Sequence, residues 1–429
     1  MGDNAKTRRI EEIFGQSRDA CEQEMRALFE AGGGAAPGAA LKLHLRNFAS
    51  FNSTFGFAKG EALLRMVAAF LVELTDEKIF RQGSGVSFIL LLEGALLDGA
   101  GELASKIAAR FEEPWQIDGV DCICAVSVGV VRYPDYAENC GDLLHNLDVA
   151  VAQSTKDGHN QVTLFDPKLQ DRFYRNAVIM RLLTTAVETD QIDISYRPIW
   201  SMQDNRYTRI ECYPRLLTVE FGPVRPSEFF PLAEESGVVC FVNMHVVRRA
   251  CETIRILSDE DIEFESLSVK ISPVLLIQRS FVTDIAQLLE RHRIPFGKLA
   301  LQIMDDPMSA HRIRPVMKKL ASLGVEIVLG SADYGLGSLH DIIALPINAV
   351  KLGRLSVWQI EGNPRSGAVI DGLVQICANL GIKLIASGVE TQYQSSLLSR
   401  YRCPYRQGPY YSLALGLAET KDLLRTRRQ

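Results

Sequence analysis

The chain lacks any apolar run approaching the roughly 20 residues that a membrane-crossing helix needs, so membrane insertion is not expected. Its first residues, MGDNAKTRRIEEIFGQ, lack the apolar core of a secretory signal. Lys6 also stands where a myristoylation site wants Ser or Thr. Basic charge is not in excess. The 47 Lys and Arg face 52 Asp and Glu, a net charge of −5, and nucleic acid is not an expected partner. Metal-binding cysteine spacing is missing as well. Nine cysteines are scattered along the chain, and their one close pair, Cys122-x-Cys124, is spaced like alternate residues of a strand, not like a zinc site or a disulfide framework. These absences describe a soluble cytoplasmic protein with reduced thiols. What the chain has is bulk. Its 429 residues are 47% hydrophobic and 23% charged, enough to fill two or three cores.

Periodicity divides it. Residues 1–31 read as an amphipathic helix, with Ile10, Ile13, Phe14, Cys21, Met25, Leu28 and Phe29 recurring at helical spacing. That helix is either packed on the following domain or free to meet a partner. The Gly/Pro-rich stretch AGGGAAPGAA makes residues 32–39 a linker. Residues 40–167 alternate strands and helices as one α/β domain around a single sheet: strand LKLHLRNF, helix KGEALLRMVAAFLVEL, hairpin FRQGSGVSFILLLEG with Gly83 and Gly85 at its turn, a helix over Glu102 to Phe111, strand CICAVSVGVVRY, a helix over Asp142 to Gln153, and strand QVTLF. A connecting helix occupies 168–182. From 183 to 429, strands ISYRPIW, YTRIECY, LSVKIS, KLALQIM, EIVLG, NAVKLG and KLIAS are mostly separated by helical segments. That alternation predicts a β/α barrel, whose chemistry belongs at the C-terminal ends of its strands.

The motifs in these two blocks resemble a GGDEF–EAL tandem of the cyclic di-GMP signalling family. In the first block FNSTFGFAKGEALLRMVAAFL is similar to the family's nucleotide-binding helix pair, and FRQGSGVSFILLLEG takes the place of its signature hairpin. AVSVGVVRYPD and LDVAVAQSTKDGHNQVTLFDP match the domain's end. In the second block ISYRPI stands for YQPI and ECYPR for the EAL signature with its Arg. PSEFFPLAEESGVV, SVKIS, LALQIMDD, LPINAVKLGR, ASGVET and RQGPYYS follow in family order. The resemblance implies a GGDEF-like domain followed by an EAL-like (β/α)8 barrel.

It also implies where chemistry should sit, and there the sequence departs from the family. Dinucleotide cyclisation needs carboxylates that hold Mg²⁺ against a triphosphate. The positions of those acids are occupied by His44, Val86 and Ser87, and a phosphate-contacting Lys is replaced by Thr155. Asn52 and Glu61 match guanine-reading positions, although helix-surface polarity explains them equally. The inhibitory RxxD motif upstream of the hairpin is replaced by TDEKIF. In the barrel, two-metal phosphodiester hydrolysis needs a dense carboxylate set. Glu211 is retained, but Lys270, Gln302, Gly353 and Ser387 replace other ligands. The paired Asp becomes Gly330 and Ser331, or Ala332 and Asp333 if the register slips by two. Lys351 and Glu390 survive. A protonated Lys has no lone pair for a metal, so Lys270 is expected to repel Mg²⁺ and to pair with Glu211. No metal or cofactor is expected.

A ligand cradle remains legible. Arg215 holds the position that contacts a phosphate of the dinucleotide, for which its fork of donors is suited. Gln407 and Gly408 match the family's QG near the guanine. Tyr410 and Tyr411 are either a stacking face or core. Arg197 is either a further phosphate contact or the partner of a carboxylate such as Glu211. Three functions follow: a catalytically inactive cyclic di-GMP receptor; a nucleotide-independent scaffold for a protein partner; and a phosphodiesterase with a displaced metal set around Glu211, Asp305, Asp333 and Glu390, assisted by Lys351. A homodimer is compatible with each.

Overall fold

The computed structural model describes residues 3–15, 22–23, 25–27, 37–82, 86–93, 99–304, 310–330 and 345–426. It contains two compact units, Met1–Ala177 and Val178–Gln429. Among the described residues no helix is long and apolar enough to cross a membrane.

The first unit is built on a five-stranded sheet in the order β2-β3-β1-β6-β7, formed by β1 (Gly38–Leu45), β2 (Lys78–Arg81), β3 (Ser87–Glu93), β6 (Val126–Tyr133) and β7 (Gln161–Leu164). Alternation along β1 assigns its two faces, as strand geometry requires. Ala39, Leu41, Leu43 and Leu45 enter a core shared with α2 (Phe48–Phe55), α3 (Phe57–Leu74) and α4 (Ala100–Arg110). Ala40 enters a second core on the opposite face, under α5 (Cys140–Asp157) and the start of α6 (Pro167–Leu183). With helices on both faces of the sheet the unit has three layers. A short hairpin, β4 (Trp115–Ile117) with β5 (Val120–Cys122), has no counterpart in the sequence reading.

The N-terminal helix is a packed one. α1 (Asp3–Gly15) lays Ile13 into the first core and Phe14 against the guanidinium groups of Arg65 and Arg81, 4.7 and 4.5 Å from the ring centre. Arg9 donates to the carbonyl of Glu77 at 2.6 Å. Residues 22–23 and 25–27 are also helical, with Met25 fully buried in the second core. The rest of the helix read over 1–31 lies outside the described residues, as do Gly83 and Gly85 and most of the linker. β1 begins at Gly38, inside the segment read as linker.

The second unit is a closed barrel. Its strands are β8 (Ile192–Ser201), β9 (Arg206–Thr218), β11 (Ser266–Ile271), β12 (Leu299–Met304), β13 (Glu326–Gly330), β14 (Ala349–Leu352), β15 (Lys383–Ser387) and β16 (Tyr405–Gln407). β9 and β11 through β16 run parallel in sequence order, and β8 closes the ring antiparallel to both β16 and β9. β10 (Gly222–Val224) extends the edge of β9. β16, only three residues long, is the barrel strand that the sequence did not reveal. Outside the ring pack, among others, α7 (Pro226–Glu235), α8 (Val239–Asp259), α9 (Phe281–Arg291), α10 (Ala310–Ser322), α11 (Pro364–Asn379) and α12 (Gln392–Arg400). The interior is layered, as in other β/α barrels. Arg209, Glu265, Glu326, Lys383 and Tyr405 form a polar floor at the strand N-termini. Ile199, Ala300, Val328, Ala349 and Ile385 make an apolar plug. Beyond the plug, at the C-terminal ends, the interior turns polar again.

Candidate functional site

In the first unit two of the positions where the resemblance places cyclase acids are bonded to each other. His44 on β1 and Ser87 on β3 are directly paired in the antiparallel register, and His44 Nδ1 lies 2.9 Å from Ser87 Oγ. Burial, together with the charges of Lys42 and Arg46, lowers the His44 pKa despite the opposing pull of Asp148, so the ring favours its neutral form. Val86 packs against the first core. Thr155 bonds Ser127 Oγ at 3.0 Å and the carbonyl of Val151 at 2.9 Å. Of the two residues at the expected guanine-reading positions, Glu61 lies 3.6 Å from Arg81. Asn52 is folded over Gly60 so closely that a Cβ there would approach its Oδ1 to 1.9 Å.

The barrel mouth opens into a cavity of about 530 Å³. At its base Glu211 on β9 is buried and accepts from Lys351 Nζ on β14 at 2.8 Å and from Gln407 Nε2 on β16 at 3.0 Å. Burial alone would oppose ionisation. The charge and hydrogen bond of Lys351, the charge of Arg197 and the Gln407 amide outweigh it and hold the Glu211 carboxyl below its usual range.

This geometry corrects the expected Lys270–Glu211 pair. The β9–β11 register sets Ser268, not Lys270, beside Glu211. Lys270 lies two residues nearer the strand's C-terminal end, exposed, and makes no ion pair among the described residues. Arg197 likewise is not bonded to Glu211, although the two are register partners on β8 and β9. Its guanidinium carbon sits 3.5 Å from the centre of the Tyr213 ring. Arg215, two residues further along β9, lies 5.9 Å from the same ring.

Other expected positions divide. Gln302 is buried, its Oε1 without a partner among the described residues, and it fills the space in front of Gly330, where a Cβ would come within 2.6 Å of its amide nitrogen. Gly353 and Ser387 line the cavity. Glu390 is paired with Arg354 at 2.9 Å. Gly408, at φ +155°, faces the Val389 backbone so tightly that a Cβ would meet its oxygen at 2.2 Å. Tyr411 is a wall residue, bonded to Ser395 at 2.7 Å and to Arg406 at 3.2 Å and stacked on Trp200. Asp305, Ser331, Ala332 and Asp333 lie outside the described residues. Arg225, Arg354 and Tyr213 also line the cavity and were not singled out from the sequence. Tyr213 had a signal, since it lies between Glu211 and Arg215 at the two-residue spacing that puts all three on one strand face.

Lys351, Lys270, Arg197, Arg225 and Arg354 thus face the cavity with a single carboxylate, Glu211, among its described lining. No group of three or more His, Cys, Asp or Glu among the described residues is placed to hold a metal ion. A lone carboxylate already bonded by a lysine does not fit a pair of divalent cations, which need several anionic oxygens to offset their repulsion. The arrangement fits an anion.

Comparison with known proteins locates this architecture. The EAL domain family matches residues 180–414, and the GGDEF family (diguanylate cyclase, GGDEF domain) matches residues 16–161. The chain is 28% identical over 393 residues to the cyclic di-GMP phosphodiesterase NbdA of Pseudomonas aeruginosa, covering 91% of this chain and 50% of that protein. It is 24% identical over 369 residues to the cyclic di-GMP phosphodiesterase PdeR of Escherichia coli, covering 85% and 56%. It therefore spans about half the length of these curated relatives. Among solved structures, the PaMucR phosphodiesterase in complex with cyclic di-GMP aligns at a TM-score of 0.54 and 23% identity, over 57% of this chain and 99% of that one. The FimX EAL domain from Pseudomonas aeruginosa bound to cyclic di-GMP aligns at 0.50 and 19%, over 56% and 97%. At these identities the structures establish the fold alone.

Proposed function

The chain belongs to the EAL domain family, with a GGDEF domain ahead of the barrel, and from that premise we propose that it is a cyclic di-GMP receptor that does not turn its ligand over. The observation that carries this reading is the charge of the mouth: five cationic side chains and one carboxylate line it, and with Lys351 paired to Glu211 and Arg354 to Glu390, the described residues leave Arg197, Arg225 and Lys270 as an excess of positive charge. A cyclic dinucleotide brings two phosphodiester anions, and Arg and Lys donors suit them. Hydrolysis asks for the opposite, a wall of carboxylates around two cations. Gln302 and Gly330 support the reading chemically, because an amide and a hydrogen offer a metal ion no anionic oxygen. In unit one, the mutual bonding of His44 and Ser87 offers a triphosphate no anionic oxygen for Mg²⁺.

The relatives named as phosphodiesterases favour hydrolysis instead. Isothermal titration of the purified chain with cyclic di-GMP, with and without Mg²⁺, separates the readings. The receptor predicts saturable binding that persists in EDTA, weakens with Arg215→Ala, and leaves the ligand intact. Mg²⁺- or Mn²⁺-dependent release of a linear dinucleotide would overturn it in favour of the enzyme. No heat at high micromolar ligand would leave the scaffold.

A further inference from the structure

We propose that Arg197 is the base-stacking surface of the mouth, a guanidinium plane laid on Tyr213 that takes a purine ring of the bound dinucleotide; this rests on the receptor reading above. The 3.5 Å separation between the Arg197 guanidinium carbon and the Tyr213 ring centre fixes the orientation. A resonant C–N bond is about 1.3 Å long. An edge-on guanidinium at that distance would therefore drive a nitrogen deep inside contact with the ring, so the two planes lie broadly along one another. One face of the guanidinium is thus spent on Tyr213.

The remaining groups show why Arg197 does something other than bind phosphate or neutralise acid. The nearest carboxylate, Glu211, is already satisfied by Lys351 and Gln407. Simple anion capture is supplied by Lys270, exposed and without an ion pair among the described residues. Arg197 and Tyr213 both line the cavity, and both are partly exposed. Arg215, 5.9 Å from the same ring, adds a second cation over the aromatic and helps hold the Tyr213 ring in place. A π-face on one side and a delocalised, weakly hydrated cation on the other form a platform on which nucleobases stack. Lysine at 197 would keep the charge and lose the plane. Leucine at 213 would keep the arginine and lose what holds it flat.

Titrations with two probes, cyclic di-GMP and inorganic tripolyphosphate, test this on the full chain. The proteins are the wild type, Arg197→Lys and Tyr213→Leu, each checked for an unchanged thermal midpoint. Both variants are expected to lose affinity for cyclic di-GMP about tenfold or more, in line with the loss of one stacked base, and to bind tripolyphosphate as the wild type does. Equal losses for both probes would make Arg197 a phosphate contact and overturn the stack. Unchanged affinity in Arg197→Lys would overturn it too, while wild-type binding of cyclic di-GMP would leave the receptor reading standing. A wild type that binds tripolyphosphate but not cyclic di-GMP would overturn the receptor, and the stack with it.

Discussion

Glu211 shows how one residue carries a different burden once its neighbours change. In a mouth of carboxylates it would be a ligand. Beside Lys351 at 2.8 Å it is half of a buried ion pair. Removing one member of such a pair leaves the other charged and desolvated, at a typical cost of about 3–5 kcal/mol. Glu211→Ala is therefore expected to destabilise the barrel unit by about that amount in urea unfolding, and pairing it with Lys351→Met should recover much of the loss. A Glu211→Ala protein as stable as the wild type would show that the pair is not formed in solution. The residue positions were legible in the sequence: Glu211, Lys351, Gln407, Gln302 and Gly330 are family positions found by counting along motifs. Their partners were not. Lys270 is the expected counter-ion for Glu211 because both stand at metal-ligand positions of the resembled family. The register places Ser268 there, while Lys351 reaches Glu211 from β14.

At the scale of elements, the strand ends divide the labour. The C-terminal ends present the cavity, and the N-terminal ends are tied together by a compact ionic floor. Glu265, just before β11, accepts from Thr208 at 2.6 Å and Lys383 at 2.9 Å, meets Arg209 at 3.2 Å and receives the Tyr405 hydroxyl at 3.0 Å. Burial would raise its pKa, but those donors and charges bring it down to about 2 from the ordinary 4.5. A carboxyl whose folded pKa is depressed stabilises the fold above its unfolded pKa and loses that contribution as the proton arrives. Barrel stability is therefore expected to decline as pH falls from 4.5 towards about 2. Chemical denaturation at stepped pH reads this, with Glu265→Gln as the control. The variant should be less stable at pH 6 and should show a shallower decline below 4.5. An identical slope in both proteins would assign the acid sensitivity elsewhere. Helices and long strands were readable because their periodicity spans several turns or pleats. β16 was not, since three residues carry no period, and neither was the β4–β5 hairpin for the same reason.

For the whole molecule, the sharpest expectation concerns metal. A cation bound by the folded state alone raises the melting temperature by mass action. With a lysine-bonded Glu211 as the one carboxylate among the described lining of the mouth, millimolar Mg²⁺ or Mn²⁺ is expected to leave the thermal midpoint of the full chain unshifted, and EDTA likewise. A metal-dependent rise would revive the displaced site. The division into two units, each with its own buried cores, means that this measurement should follow both transitions.

The sequence by itself determined the two-domain order, an α/β domain around a single sheet and the β/α barrel, because apolar periodicity and motif order are properties of the chain read linearly. Together with the family resemblance it also indicated which expected acid positions hold other residues, since residue identity is read directly from the chain. Only the tertiary structure decided who neutralises Glu211, that Gln302 fills the space before Gly330, and that Arg197 lies on Tyr213. Those contacts join strands up to 140 residues apart, and across a closed barrel the register and the reach of each side chain, rather than spacing along the chain, set which groups meet.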